Sequence, residues 1–288
     1  MFADRPCLAA LVARYDLTSH FDFRADFAAA LAQLGDAEAA ALFAAGPGEI
    51  DLLSDDGCAE FIGRLTGASA IAPQPVTAAD FARHRSRRFG STNPEKHLPG
   101  FWSEQIRTGR SGYTAAQALT GAADCRHPPV WSFQRYGASF TRLPDGRWVV
   151  IAGEHEDHYD PDFCIYNDVT LFDGQGGVQH FLYPAEVFPP TDFHTATLLD
   201  DAILLIGALG YPEDRREGET QVLRLDLDDF SIRPVETRGE NPGWIHGHTT
   251  ERTDAGLRVT GGKIEPGYRD RTEAHLLDPT DWTWHRLG

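Results

Sequence analysis

The sequence lacks any run approaching the ~20 apolar residues that a membrane span requires. The apolar stretch near its start, within MFADRPCLAALVARYDL, is short for a signal peptide and is flanked by acidic residues. These absences point to a soluble, cytoplasmic protein. Its cysteines, Cys7, Cys58, Cys125 and Cys164, are scattered with no C-x-x-C pair, which argues for reduced thiols rather than a disulfide framework or a zinc knuckle. No P-loop, no G-x-S-x-G elbow and no G-x-G-x-x-G turn after a strand is present, so the familiar nucleotide and hydrolase sites are excluded. Positive charge is also scarce: 26 Lys and Arg stand against 43 Asp and Glu, a net charge of −17. That balance disfavours nucleic acid and anionic membrane as partners and favours a basic protein, a cationic ligand or a metal.

What the sequence does have is a repeat. Gly153, Gly207 and Gly261 are spaced 54 residues apart, as are Thr141, Thr195 and Thr249, and Ile151, Leu205 and Val259. Each glycine closes a β-rich run: WVVIAG, AILLIG and GLRVTG. After a variable loop each copy ends in a strand closed by aspartate, at Val169–Asp173, Val222–Asp226 and Ala274–Asp278. Phe230 and Trp282 lie four residues past their aspartates, where an aromatic fills the space between neighbouring sheets.

FHTATLLDDAILLIGALG at Phe193–Gly210, the Gly261–Gly262 pair and DPTDWTW at Asp278–Trp284 resemble the Kelch repeat, over roughly the C-terminal half. The resemblance implies four-stranded antiparallel propeller blades, three of them here. The third copy keeps both glycines, whereas the others read Ala152–Gly153 and Gly207–Ala208. Propellers close with ~4–8 blades, so three units leave an open arc. Either a second chain completes the ring as a homodimer, or the N-terminal half covers the open edges, and the second alternative is favoured because helices there need an apolar partner.

The N-terminal part reads in a helical period. Leu8, Leu11, Val12 and Tyr15, then Phe23, Phe27, Leu31 and Leu34, fall on single helix faces. Further helices are expected over Ala37–Ala45, from Cys58 to Gly67 and from the Thr77/Asp80 capping box, and another from Asn93–Pro94 to about Gly109. Cys125–Phe133 reads as a proline-stiffened linker turning into a strand. The expected class is therefore α+β: a mostly α-helical region at 1–124, then Kelch-like blades at 125–288. The basic run Arg83, His84, Arg85, Arg87, Arg88 reads as an anion site, a solvated helix end, or a docking patch against the acidic repeats.

The densest group of ligand-type residues follows the first glycine: Glu154, His155, Glu156, Asp157, His158, Asp160, Asp162, Cys164, Asn167 and Asp168. Its residue types suit a divalent Fe, Zn or Mn ion. Glu156, Asp160 and Cys164 are spaced as in the E-x3-D-x3-H iron loop of the plant nitrile-specifier proteins, Kelch-like propellers themselves, with cysteine in the histidine's place. The same loop is equally a solvated acidic turn. His194 and His248 take the Kelch register before a blade's strand, where packing or blade-to-blade hydrogen bonding is the ordinary role. His246, two residues from His248, would share its face of a strand.

Two readings follow. One is a binding protein whose acidic loops meet a basic protein or small cationic ligand, with Arg135, Glu154, Glu156, Tyr211 and Lys263 as candidate contacts. The other is a metal-dependent enzyme whose site, in the 154–168 loop near the propeller axis, draws on His155, His158, Asp160, His194 and His246.

Overall fold

The computed structural model describes residues 4–17, 24–44, 54–122, 128–155 and 160–288. The chain is α+β. Helices α1 (Pro6–Arg14), α2 (Arg24–Leu31), α3 (Asp36–Ala44), α4 (Asp55–Thr66), α5 (Ala78–His84), α6 (Gly100–Thr108) and α7 (Gly112–Thr120) precede nearly all the strands. Local signals set most helix ends. Ser54 Oγ accepts from Gly57 N at 3.1 Å to start α4, and Gly67, left-handed at φ 78°, stops it. The Thr77/Asp80 capping box starts α5. Asn93 does not start a helix; α6 begins at Gly100, and Asn93 instead serves a sheet described below. Among the described residues no helix is long and apolar enough to cross a membrane.

Three sheets follow, antiparallel throughout except for one two-residue parallel pair in the third. The first uses β1 (Glu95–Lys96), β2 (Ser139–Arg142), β3 (Trp148–Ile151), β6 (Asp168–Phe172) and β7 (Val178–Leu182), in the order β1-β7-β6-β3-β2, with the hairpin β4 (Glu154–His155) and β5 (Cys164–Ile165) extending from one end. The second is β8 (Thr195–Leu198), β9 (Ala202–Ile206), β10 (Val222–Asp226) and β11 (Ile232–Pro234). The third orders β12 (Arg238–Gly239), β19 (Thr283–Leu287), β18 (Ala274–Asp278), β15 (Gly256–Thr260) and β14 (Thr249–Thr253). Beside it, β13 (Trp244–His246), β16 (Lys263–Glu265) and β17 (Arg269–Asp270) form a small sheet. Val130–Phe133, expected as a strand, makes none; Val130, Trp131 and Phe133 are buried, and Trp131 N donates to Arg85 O at 2.5 Å.

Alternation along the strands stacks the sheets. Phe140, Trp148, Val150 and Phe172 face the helices, joining the stacked pairs Phe27–Phe61 and Trp102–Trp131 in one core. From the opposite face, Val149, Ile151, Val169 and Phe181 meet Ile203, Leu205 and Phe230, with Phe230 stacked on Phe181 at 4.8 Å. Leu204, Ile206 and Val222 then meet Leu257, Val259 and Trp284. The helices cover the first sheet, and the outward positions of the third sheet (Thr249, Glu251, Arg258, His285) are polar and exposed.

The three sheets repeat, but the register slips in the first copy. Ala152 N donates to Asp168 O as Gly207 N does to Gln221 O, and Gly153 N reaches Thr191 O as Ala208 N reaches Ile245 O. Gly153 O and Gly262 O accept equivalent bonds from Tyr166 N and Arg271 N. Ala152, not Gly153, is therefore the counterpart of Gly207 and Gly261, and all three are left-handed. The pairings Ser139–Ile151, Thr195–Ile206 and Thr249–Thr260 make Ser139, not Thr141, the counterpart of the two threonines. Two single-residue differences cause it: Ala152 and Gly207 are 55 residues apart where Gly207 and Gly261 are 54 apart, and the first hairpin is one residue longer than the other two. The closing aspartates Asp173, Asp226 and Asp278 remain in register.

Candidate functional site

Ahead of each first strand the chain turns through a left-handed residue: Gly137, Phe193 and Gly247. The residue before that turn is Tyr136, Asp192 or His246, three equivalent positions at the end of the stack where the longer loops lie. The aligned segments TDFHT and IHGHT already place Asp192 and His246 in one register, yet sequence reasoning singled out only the histidine. Glu265 and Arg215, which complete the group, carry no such signal.

Asp192 is fully buried. Its Oδ1 accepts from Gly210 N at 2.7 Å, and its backbone O accepts from Leu209 N. The Gly153–Thr191 bond lays Glu154, itself 9% exposed, alongside it. Burial raises the Asp192 carboxyl above the usual carboxylate range against the opposing bonds from Gly210 and Glu154.

His246 Nε2 stands 3.6 Å from Glu265 Oε1, and Arg215 Nη1 is 3.5 Å from Glu265 Oε2. Arg215 is anchored by Leu209 O and Gly210 O, and Trp244 Nε1 also donates to Leu209 O. The Gly210 peptide thus joins the two acid groups, its N–H on Asp192 and its carbonyl on Arg215. Burial, opposed by the Glu265 charge, pushes His246 down to about 4 and keeps it neutral. Over it lies Tyr268, ring centroid 5.3 Å away and 60% exposed, with Lys263 Nζ 4.9 Å from the same ring.

Of the expected contacts, Glu154 belongs to this group and Lys263 lies at its rim, paired with Asp270. Tyr211 supports it: its hydroxyl accepts from Ile165 N at 2.9 Å and takes Arg87 of the basic run. Arg85 and Arg88 of the same run likewise dock, on Pro128 O and on Glu95, whereas Arg83 is exposed. Arg135 sits elsewhere. It is buried against the Tyr166 ring at 3.5 Å and ion-paired with Asp168, whose carboxyl, though raised by burial, is held well below its usual range by Arg135 and then His180.

The residues expected as metal ligands are spread out. His194 Nε2 bonds Ser139 Oγ at 2.8 Å and His248 Nε2 bonds Thr195 Oγ1 at 3.0 Å, each tying its sheet to the preceding one. Left-handed Gly247 separates His246 from His248, so they do not share a strand face as the two-residue offset implied; one meets Glu265 and Tyr268, the other Thr195. His155 is buried in the β4–β5 hairpin, and Asp160 accepts Phe163 N in a turn. Glu156 and His158 lie outside the described residues. Among the described residues no three His, Cys, Asp or Glu side chains come together to hold a metal ion. Burial raises the Cys164 thiol, which disfavours a nucleophilic thiolate.

No family model matches the chain, and no curated protein matches it.

Proposed function

We propose that the chain is a Kelch-like binding protein, a three-bladed propeller arc capped by its own helices, whose loop end receives a basic protein or small cationic ligand. The observation that supports this most is that acids from all three repeats meet at one end: Glu154 beside Asp192 on one side of Gly210, and Glu265 with Arg215 and His246 on the other, where the exposed Tyr268 lies over His246. Acidic groups with an aromatic lid suit an ammonium or guanidinium guest, through charge and ring quadrupole together, and the net charge of −17 steers such guests inward.

The test is fluorescence anisotropy with a labelled arginine-rich peptide and a neutral peptide of equal length, at low and physiological salt. Binding of the basic peptide is expected to weaken several-fold with salt, and at least tenfold in a Glu265→Gln/Tyr268→Ala variant. Equal affinity for the neutral peptide, or an unaffected variant, overturns the reading.

A further inference from the structure

A second concavity lies far from the loop end, where α3 and α4 meet two turns of the first sheet. Gly67 at the end of α4 approaches the β6–β7 turn so closely that a Cβ there would stand 2.6 Å from Gly174 O. Beside that contact the packing leaves a cleft of about 170 Å³. Its apolar walls come from Leu34, Leu42, Leu65 and Trp148. Arg64 and Arg142 also line it, in a protein that has few cations to spare. Gly146 and Gly174 border it, and a Cβ on either would meet nothing within 4 Å, so neither turn obstructs the opening.

Neither guanidinium is saturated by its partners. Arg64 gives Nε and Nη2 to Glu60, while Nη1 makes only a 3.4 Å contact with Leu42 O. Arg142 gives Nη2 to Glu38, a carboxylate that also lines the cleft. Guanidinium donors beside an apolar wall match a carboxylate on a compact apolar body. The size fits as well, since an apolar cavity of about 150 Å³ accommodates benzene. We infer that this cleft is a binding site for a small organic carboxylate, of about the size of benzoate, with its ring against Trp148 and its carboxylate on Arg142 and Arg64. Glu38 is then a built-in competitor that occupies Arg142 when the cleft is empty.

Isothermal titration and Trp fluorescence with benzoate test this, with benzamide and benzylammonium as isosteric controls. Saturable benzoate binding at least tenfold tighter than either control is expected. Arg142→Met should abolish that preference, and Glu38→Gln, by releasing Arg142, should tighten benzoate several-fold; thermal unfolding verifies that both variants are folded. No saturable binding, equal binding of benzamide, or an Arg142→Met variant that keeps the preference overturns the inference. So does a Glu38→Gln variant that binds benzoate no better than the parent, and this last arm stands even if Arg142→Met fails to fold.

Discussion

His194 and His248 are buried where a charge has no compensating partner, and burial pushes them down to about 4 and about 3. Both ordinarily titrate near 6.5. Below that pH the unfolded chain takes up protons that the folded chain refuses. Their contribution is therefore complete above about pH 6.5 and is lost progressively as pH falls towards their folded values. The difference from 6.5 corresponds to roughly 3–5 kcal/mol per histidine at the acid limit. We expect urea midpoints of the parent protein to fall between pH 6.5 and 4.5 more steeply than those of His248→Gln, which keeps a polar group near Thr195 without the titration. Equal slopes would count against a neutral, buried His248. His194→Ala, which removes the Ser139 bond as well as buried volume, should cost about 2–4 kcal/mol at pH 7.

Strand edges show what the helical half does beyond covering a core. Gln33, just past α2, lies against β2: its Nε2 donates to Phe140 O at 2.6 Å and its Oε1 accepts from Arg142 N at 2.8 Å. Asn93 does the same to β11, donating to Ile232 O and accepting from Ile232 N. Each side-chain amide presents one donor and one acceptor, as a neighbouring strand would, and so occupies an edge that is otherwise open to aggregation. Gln33→Ala and Asn93→Ala should each cost about 1–3 kcal/mol, because a backbone pair loses its partner. Light scattering on heating should show the double variant aggregating earlier than its reduced stability alone predicts. The distinction between local and distant partners also explains what was legible in the sequence. The capping box at Thr77 and the glycine stop at Gly67 involve neighbours in the chain and were read correctly. Asn93 carries the same composition signal as a helix start, but its partner lies 139 residues away, and no local pattern reveals that.

At the scale of the molecule, helices and three sheets form a one-dimensional stack, each layer packed on its neighbours. The repeat of three sheets was legible because buried positions recur with the strands. The slip in the first copy, one residue at the glycine and two at the threonine, was not, because single extra residues in connections leave the hydrophobic alternation of the strands intact. The converging acids were legible only in part, since Glu265 and Arg215 meet through loops of unequal length that no periodicity constrains. The stack also has unlike ends. Outward positions on the first sheet are apolar and covered by helices, whereas those on the third are polar. Residues 128–288 expressed without the helical half should therefore aggregate or bind a hydrophobic dye strongly, while the whole chain should run as a monomer in size-exclusion chromatography with light scattering. A monomeric, compact fragment would show the helices to be dispensable.

The final strand gives this stack an unexpected mechanical property. Over Thr283 and Trp284, β19 is not an edge: it is zipped to β18 on one side and lies parallel to β12 on the other, where Arg238 also grips Thr283 and Asp281. A pull on β19 from its C-terminal side first strips the β18 ladder over residues 285–287 and then, at Thr283 and Trp284, loads both ladders together. An unfolding motor drawing on β19 from its C-terminal side meets this clamp at the strand's first two residues, and force spectroscopy from that side should register a rupture there well above that of an edge strand.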